Sequence, residues 1–200
     1  MSCGSWNGGH GRRSLDCKQH WIVQSGSKRF VYDSEDDLSV LMDYALYEYR
    51  VMGKNAVERY QEEIGGETQI ERELLAAMVA SSTSLFEVES VSTSTCIMRL
   101  SDLANEGRTI NLMDINFSQR VTPDWLLFIR PITLENFSMT SGIAFIFPRH
   151  LKEELLKRWH RSQSRRRRLA QPVSARRYAT FFRLSKVKGI EVRYEEVGKA

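Results

Sequence analysis

Between Ser81 and Pro148 the chain breaks into five short runs rich in β-branched and aromatic residues, at positions 85–91, 95–100, 109–115, 125–132 and 137–147. Turn-like segments such as Ala104-Asn105-Glu106-Gly107 and Asn116-Phe117-Ser118 separate them, a pattern that reads as strands. In the first run Phe86 and Val88 alternate with Glu87 and Glu89, as a half-buried antiparallel strand requires. Strands this short and closely spaced leave two exposed edges unless the sheet bends round and closes on itself. The segment therefore predicts a small five-stranded antiparallel barrel-like sheet.

Helical spacing dominates on the N-terminal side. Asp36 or Asp37 can cap a helix whose Leu38, Leu41, Ala45, Tyr49 and Met52 recur every three or four residues, up to Gly53. Asn55 can cap a second, short helix carrying Ala56, Val57 and Tyr60 that stops at Gly65-Gly66. Thr68-Gln69-Ile70-Glu71 has the form of a capping box, and Ile70, Leu74, Leu75 and Met78 follow on one face. Three helices thus precede the strands. After them, Pro148 suits the start of a helix with the apolar stripe Leu151, Leu155, Leu156 and Trp159. Residues 178–184 and 190–197 could pair as a C-terminal hairpin across Lys188-Gly189, the alternative being a disordered tail. The fold class is α+β. It divides into a Gly/Ser-rich arm (1–35), a single domain (36–160) and a basic extension (161–200).

Charge is unevenly distributed. From Arg149 onward there are 16 Lys/Arg against 5 Asp/Glu, whereas the first 148 residues hold 13 against 20. Such a split marks either a face that meets an anionic partner or a tail that packs on the protein's own acidic half. No run approaches the roughly 18 apolar residues that span a bilayer. The polar N-terminus lacks the apolar core of a secretory signal. Cys3, Cys17 and Cys96 make no disulfide framework, and Cys96, in a strand-like run, is expected to be a small buried hydrophobe. A cytoplasmic setting with no membrane partner follows.

Several short signatures recur in a telling order: Asp43-Tyr44, Glu48-Tyr49-Arg50 and Glu58-Arg59-Tyr60, then Phe86-Glu87-Val88 and Arg99-Leu100-Ser101-Asp102-Leu103 leading to Gly107. Leu126-Leu127-Phe128-Ile129-Arg130-Pro131, Ser141-Gly142 and Phe147-Pro148 follow. In that order the chain resembles an uncharacterised domain of bacterial and archaeal hypothetical proteins, often found beside a cysteine-rich zinc motif called SEC-C. The resemblance covers residues 36–160 and implies a helical segment joined to a small barrel-like unit, with no catalytic residues to carry over. Of the zinc motif only Cys3-Gly4-Ser5 and Cys17 are present; its first cysteine is missing, and Lys18 follows Cys17.

Two constellations invite chemistry. Cys3, His10, Cys17 and His20 supply two thiolates and two imidazoles, the donor set of tetrahedral zinc, although only Cys17 and His20 are close in sequence. The competing reading is a flexible arm. The second is cationic: Arg158 and Arg161, the run Arg165, Arg166, Arg167 and Arg168, then Arg176 and Arg177. Guanidinium groups grip phosphates in pairs of hydrogen bonds. Tyr178, Phe181 and Phe182 would be placed to stack on unpaired bases, unless they are core. A nucleophile elbow, a P-loop, a dinucleotide fingerprint and a His-Glu-x-x-His helix are all missing. Asp102 and Asp114 lie near strand ends, where aspartates either pair for acid–base work or satisfy turn amides. The reading is a non-enzymatic module that binds RNA or DNA through these cations; the alternative is an assembly module whose basic tail docks on acidic protein surfaces.

Overall fold

Residues of β6 (Trp125–Thr133) point alternately to two different apolar cores, and this alternation organises the molecule. Leu127 and Ile129 join Phe86, Val88, Met98, Leu100, Ile110 and Leu112 in one core. Leu126 and Phe128 join Leu85, Phe145 and Phe147 in another, which helices complete. Because successive strand side chains face opposite ways, a strand buried on both faces reads as one continuous apolar run. β6 is buried from Leu126 to Ile132.

The computed structural model describes residues 22–23, 30–31, 35–105, 108–164 and 172–190. The chain divides into two compact units, residues 1–38 and 39–200. In the first, β1 (Ile22–Val23) pairs antiparallel with β2 (Phe30–Val31), before the opening turn of α1 (Glu35–Tyr47). Asp36 and Asp37 both lie in that turn, and a carboxylate at Asp37 offsets the positive end of the helix dipole.

The three helices before the strands are present. A turn with a β-bridge between Val51 and Lys54 leads from α1 to α2 (Ala56–Glu63). Its central residues, Met52 (φ 53°) and Gly53 (φ 85°), are both left-handed. Asn55 caps α2 as expected: it accepts the Glu58 N–H at 2.8 Å, and Glu58 accepts the Asn55 N–H at 2.8 Å. Thr68 and Glu71 form the same reciprocal box on α3 (Gln69–Ala80), at 3.2 and 3.0 Å. The amides of Thr68 and Glu67 that Glu71 accepts hold its carboxyl below the usual range.

The five expected strands form a closed barrel: β3 (Ser84–Ser92), β4 (Ile97–Asp102), β5 (Thr109–Met113), β6 and β7 (Ser138–Pro148), in the order β3-β4-β5-β7-β6. β6 returns to β3, with Leu85 opposite Phe128. The all-antiparallel expectation is corrected at one seam, where β5 meets β7 in parallel with Leu112 opposite Ser138. Closure forces this: five is odd, so strands alternating in direction round a ring must meet once in the same sense. A bulge interrupts β6 and β7, leaving Arg130 facing residues 141–143 with Gly142 at φ 106°. Bulges bend a strand and re-aim its side chains, and here they aim Arg130 and Ser141 toward the helical layer.

Cys96 departs from expectation. It sits half-buried in the β3–β4 turn with φ 56°, its thiol donating to the Thr93 carbonyl at 3.7 Å. The C-terminal hairpin is also corrected. Residues 173–188 form a helix, α5 (Val173–Lys188), and the second expected strand, from Glu191 on, lies outside the described residues. Ala175, Tyr178, Phe181 and Phe182 recur at helical spacing and are buried, so α5 completes the outer core and is no appended extension.

Candidate nucleic-acid interface

Two helices carry the cations. Pro148 begins a 3-10 turn (Arg149–Leu151) that runs into α4 (Lys152–Ser164), whose Leu155 and Trp159 are buried on the barrel wall. Pro172 opens α5. Phe181 of α5 stacks on Phe128 of β6, with centroids 4.2 Å apart and planes 11° from parallel, and meets Trp159 and Phe147 edge-on. Phe182 lies 5.8 Å from Phe145, and Tyr178 meets Phe145 at 5.4 Å. All three aromatics proposed to stack on bases therefore belong to the core. Bound bases could reach Tyr178 only by displacing the packing that holds α5, so its place among the nucleic-acid residues is withdrawn.

The cations differ in how far they are already engaged. Glu154 takes the Lys188 ammonium at 2.6 Å and stands 3.7 Å from Arg158; the Lys188 hydrogen bond, chiefly, holds its carboxyl low. Glu87 takes Arg149 and Lys152, each at 2.7 Å. Arg177 lies flat over the Trp159 ring at 3.5 Å and donates to Ser162 Oγ at 3.2 Å. Burial there lowers its pKa from the ordinary arginine value. Arg176 is half-buried, Arg158 and Arg161 are exposed, and Arg165, Arg166, Arg167 and Arg168 lie outside the described residues. α5 as a whole carries Arg176, Arg177, Arg183, Lys186 and Lys188 and no Asp or Glu.

A second polar assembly lies on the outer wall of the barrel. Arg130 and Glu48 form an ion pair with both side chains almost fully buried, 4% and 2% exposed. Arg130 also donates to the Ser81 carbonyl at 3.1 Å, and its guanidinium lies 4.2 Å over the Tyr47 ring. Asp43, on α1, which ends one residue before Glu48, is buried nearby, with Ser141 and Tyr178 beside it.

A family model described as a family of unknown function, DUF7986, matches residues 16–195. The chain belongs to the DUF7986 family. No curated protein and no solved structure matches it.

Membership in DUF7986 agrees with the resemblance to an uncharacterised domain, and the fold shows where the signatures that carried it meet. Asp43, Glu48, Arg130 and Ser141 come from several of those signatures and two sequence-distant regions, yet converge on one buried cluster. Nothing local in sequence announced the Glu48–Arg130 pair. The one available signal was a charged residue interrupting the apolar run at 126–132, which marks either an edge or a buried partner.

Other candidates resolve simply. Asp102 accepts Ser84 Oγ, the amides of Ala104 and Asn105, and the Asn105 side chain, at 2.6 to 3.1 Å. Asp114 accepts the Phe117 amide at 2.8 Å. Both aspartates hold turns. A cleft of about 150 Å³ at one end of the barrel is lined by Ser81, Ser84, Asp102, Arg108 and Thr133, and its one carboxylate is the turn-bound Asp102. Cys3, His10, Cys17 and His20 lie outside the described residues; among the described ones no three His, Cys, Asp or Glu gather to hold a metal ion. No described helix is long and apolar enough to cross a membrane.

Proposed function

We propose that this DUF7986 domain is a non-enzymatic module that holds the phosphate backbone of RNA or DNA on the basic face of α4 and α5, together with Arg165, Arg166, Arg167 and Arg168 between them. The observation that carries this reading is the make-up of α5. Its aromatic side is committed to the core, and the rest of the helix carries five cations and no carboxylate of its own, with Arg177 stacked on Trp159 and Lys188 paired with Glu154 of α4. With Tyr178, Phe181 and Phe182 inside, the surface grips charge and reads no bases, so binding is governed by counterion release and indifferent to sequence. The half-buried, unpaired Cys96 suits the reducing, cytoplasmic compartment where such partners are met.

The test is fluorescence anisotropy with a labelled single strand and a labelled duplex across a salt series. The wild-type chain is compared with a variant in which Arg165 to Arg168 are all alanine. Each phosphate that the variant no longer neutralises should flatten the logarithmic salt slope by about 0.7 on a single strand and about 0.9 on a duplex. Failure of the wild type to bind either probe at low salt removes the reading.

A second reading rests on α1 to α3. Met42, Tyr49, Met52, Tyr60, Ile64 and Ile70 are exposed there, and α3 has no fully buried residue. Apolar exposure concentrated on helices that also carry Glu58, Glu62, Glu63, Glu71 and Glu73 suits a protein partner with a basic, partly apolar surface. Purified protein whose ultraviolet absorbance shows no co-purifying nucleic acid, combined with a stable oligomer that dissociates in salt, would favour it over nucleic acid.

A further inference from the structure

Asp43 is an anomaly that neither reading uses. It lies mid-helix in α1, 5% exposed, and neither carboxyl oxygen has a hydrogen-bond partner. The groups that face it come from four elements. Tyr47 and Glu48 stand on its own helix or just beyond its end, Arg130 on β6, Ser141 on β7 and Tyr178 on α5. Arg177, further along, is felt by Glu48.

None of these makes a well-formed hydrogen bond to the carboxylate, although the Ser141 and Tyr178 hydroxyls lie close enough to favour its ionised form. Arg130 gives one nitrogen to Glu48, another to the Ser81 carbonyl and its face to Tyr47. The Tyr178 hydroxyl donates to the Val40 carbonyl at 3.3 Å. Ser141 Oγ is itself buried without a partner. Two carboxylates therefore share one guanidinium, and Glu48 holds it. A buried charge without hydrogen bonds is among the costliest arrangements in a folded protein, and such a group neutralises instead. A protonated Asp43 is uncharged, and it gains an O–H donor beside the unused acceptor on Ser141.

We propose that Asp43 is a buried proton-binding site, and that losing the proton loosens the junction at which α1 meets β7 and α5. Desolvation, the largest influence on it, raises its pKa, and Glu48 adds to this. Ser141, Arg130 and Tyr178 oppose it without cancelling it. Burial, followed by Asp43 itself, pushes the Tyr178 and Tyr47 phenols up as well, so neither tyrosine ionises in the same range. The folded chain thus keeps a proton that the unfolded chain gives up. Stability contributed by this site is fully present below the ordinary aspartate range and falls as pH rises through the raised value.

The experiment is urea unfolding of the full chain and of Asp43→Asn from about pH 5 to about pH 9, together with carbon-13 carboxyl titration of the wild type. Asparagine keeps the shape and cannot ionise. One linked proton changes the folding constant by at most about tenfold per pH unit, so Asp43→Asn should match the wild type at the acid end and exceed it at the alkaline end. Amide exchange across α1 and α5 should quicken with pH in the wild type beyond any quickening in the variant. The Asp43 carboxyl resonance should titrate above the ordinary aspartate range, a reading available even if the variant fails to fold. A resonance titrating at or below that range, or a variant weaker than wild type by the same factor at every pH, would overturn the proposal.

Discussion

The barrel wall separates two cores of different character. Inside, Phe86, Val88, Met98, Leu100, Ile110, Leu112, Leu127 and Ile129 pack without a charged group among them. Outside, aromatic rings from β6, β7, α4 and α5 stack on one another, and alongside them lie an ion pair, a lone carboxylate and a tyrosine hydroxyl. Strand alternation alone can specify the first core, because every second residue of each strand points at the barrel axis. The second needs helices from both ends of the sequence, so its polar members find their partners only once the chain has closed over them. The inner core therefore depends on apolar volume alone, whereas the outer one depends also on matched polar partners.

Four substitutions sharpen this contrast. Arg130→Met strands Glu48 in a buried site, and should cost about 3–5 kcal/mol in urea unfolding. Pairing it with Glu48→Gln should recover much of that loss, since removing both charges spares the desolvation that one alone cannot offset. An inner-core truncation, Leu100→Ala, should cost about 2–5 kcal/mol through reduced burial and the cavity left behind. No second substitution at a polar partner should rescue it, and a rescue would break the contrast. On the exposed α3, Thr68→Ala removes a cap that holds no core residue. The expected loss is about 1 kcal/mol, seen first as faster amide exchange at the start of that helix.

The sequence was legible wherever a local rule decided the outcome. Runs of β-branched and aromatic residues between turn segments located all five barrel strands, and side-chain oxygens at Asn55 and Thr68 marked two helix starts. α5 was misread because Tyr178, Phe181 and Phe182 favour strands by residue type. Their spacing with Ala175 already described a helical stripe. The parallel β5–β7 seam and the Glu48–Arg130 pair depend on how distant segments meet, which composition and periodicity do not encode. The Arg-rich surface was visible from charge alone, but which aromatics stand beside it as neighbours and which lie beneath it as core was settled by the helix.

The stacking of Phe181 on Phe128 has a consequence for how the protein is made. A ribosome that has just released α4 has produced the complete barrel, yet Phe128, Phe145 and Phe147 still lack the cover that Tyr178, Phe181 and Phe182 give them, because α5 has not emerged. During that interval the nascent chain displays a patch of aromatic rings of the kind that chaperones bind. A premature stop before α5 would make the patch permanent and mark an otherwise well-formed barrel for aggregation or degradation.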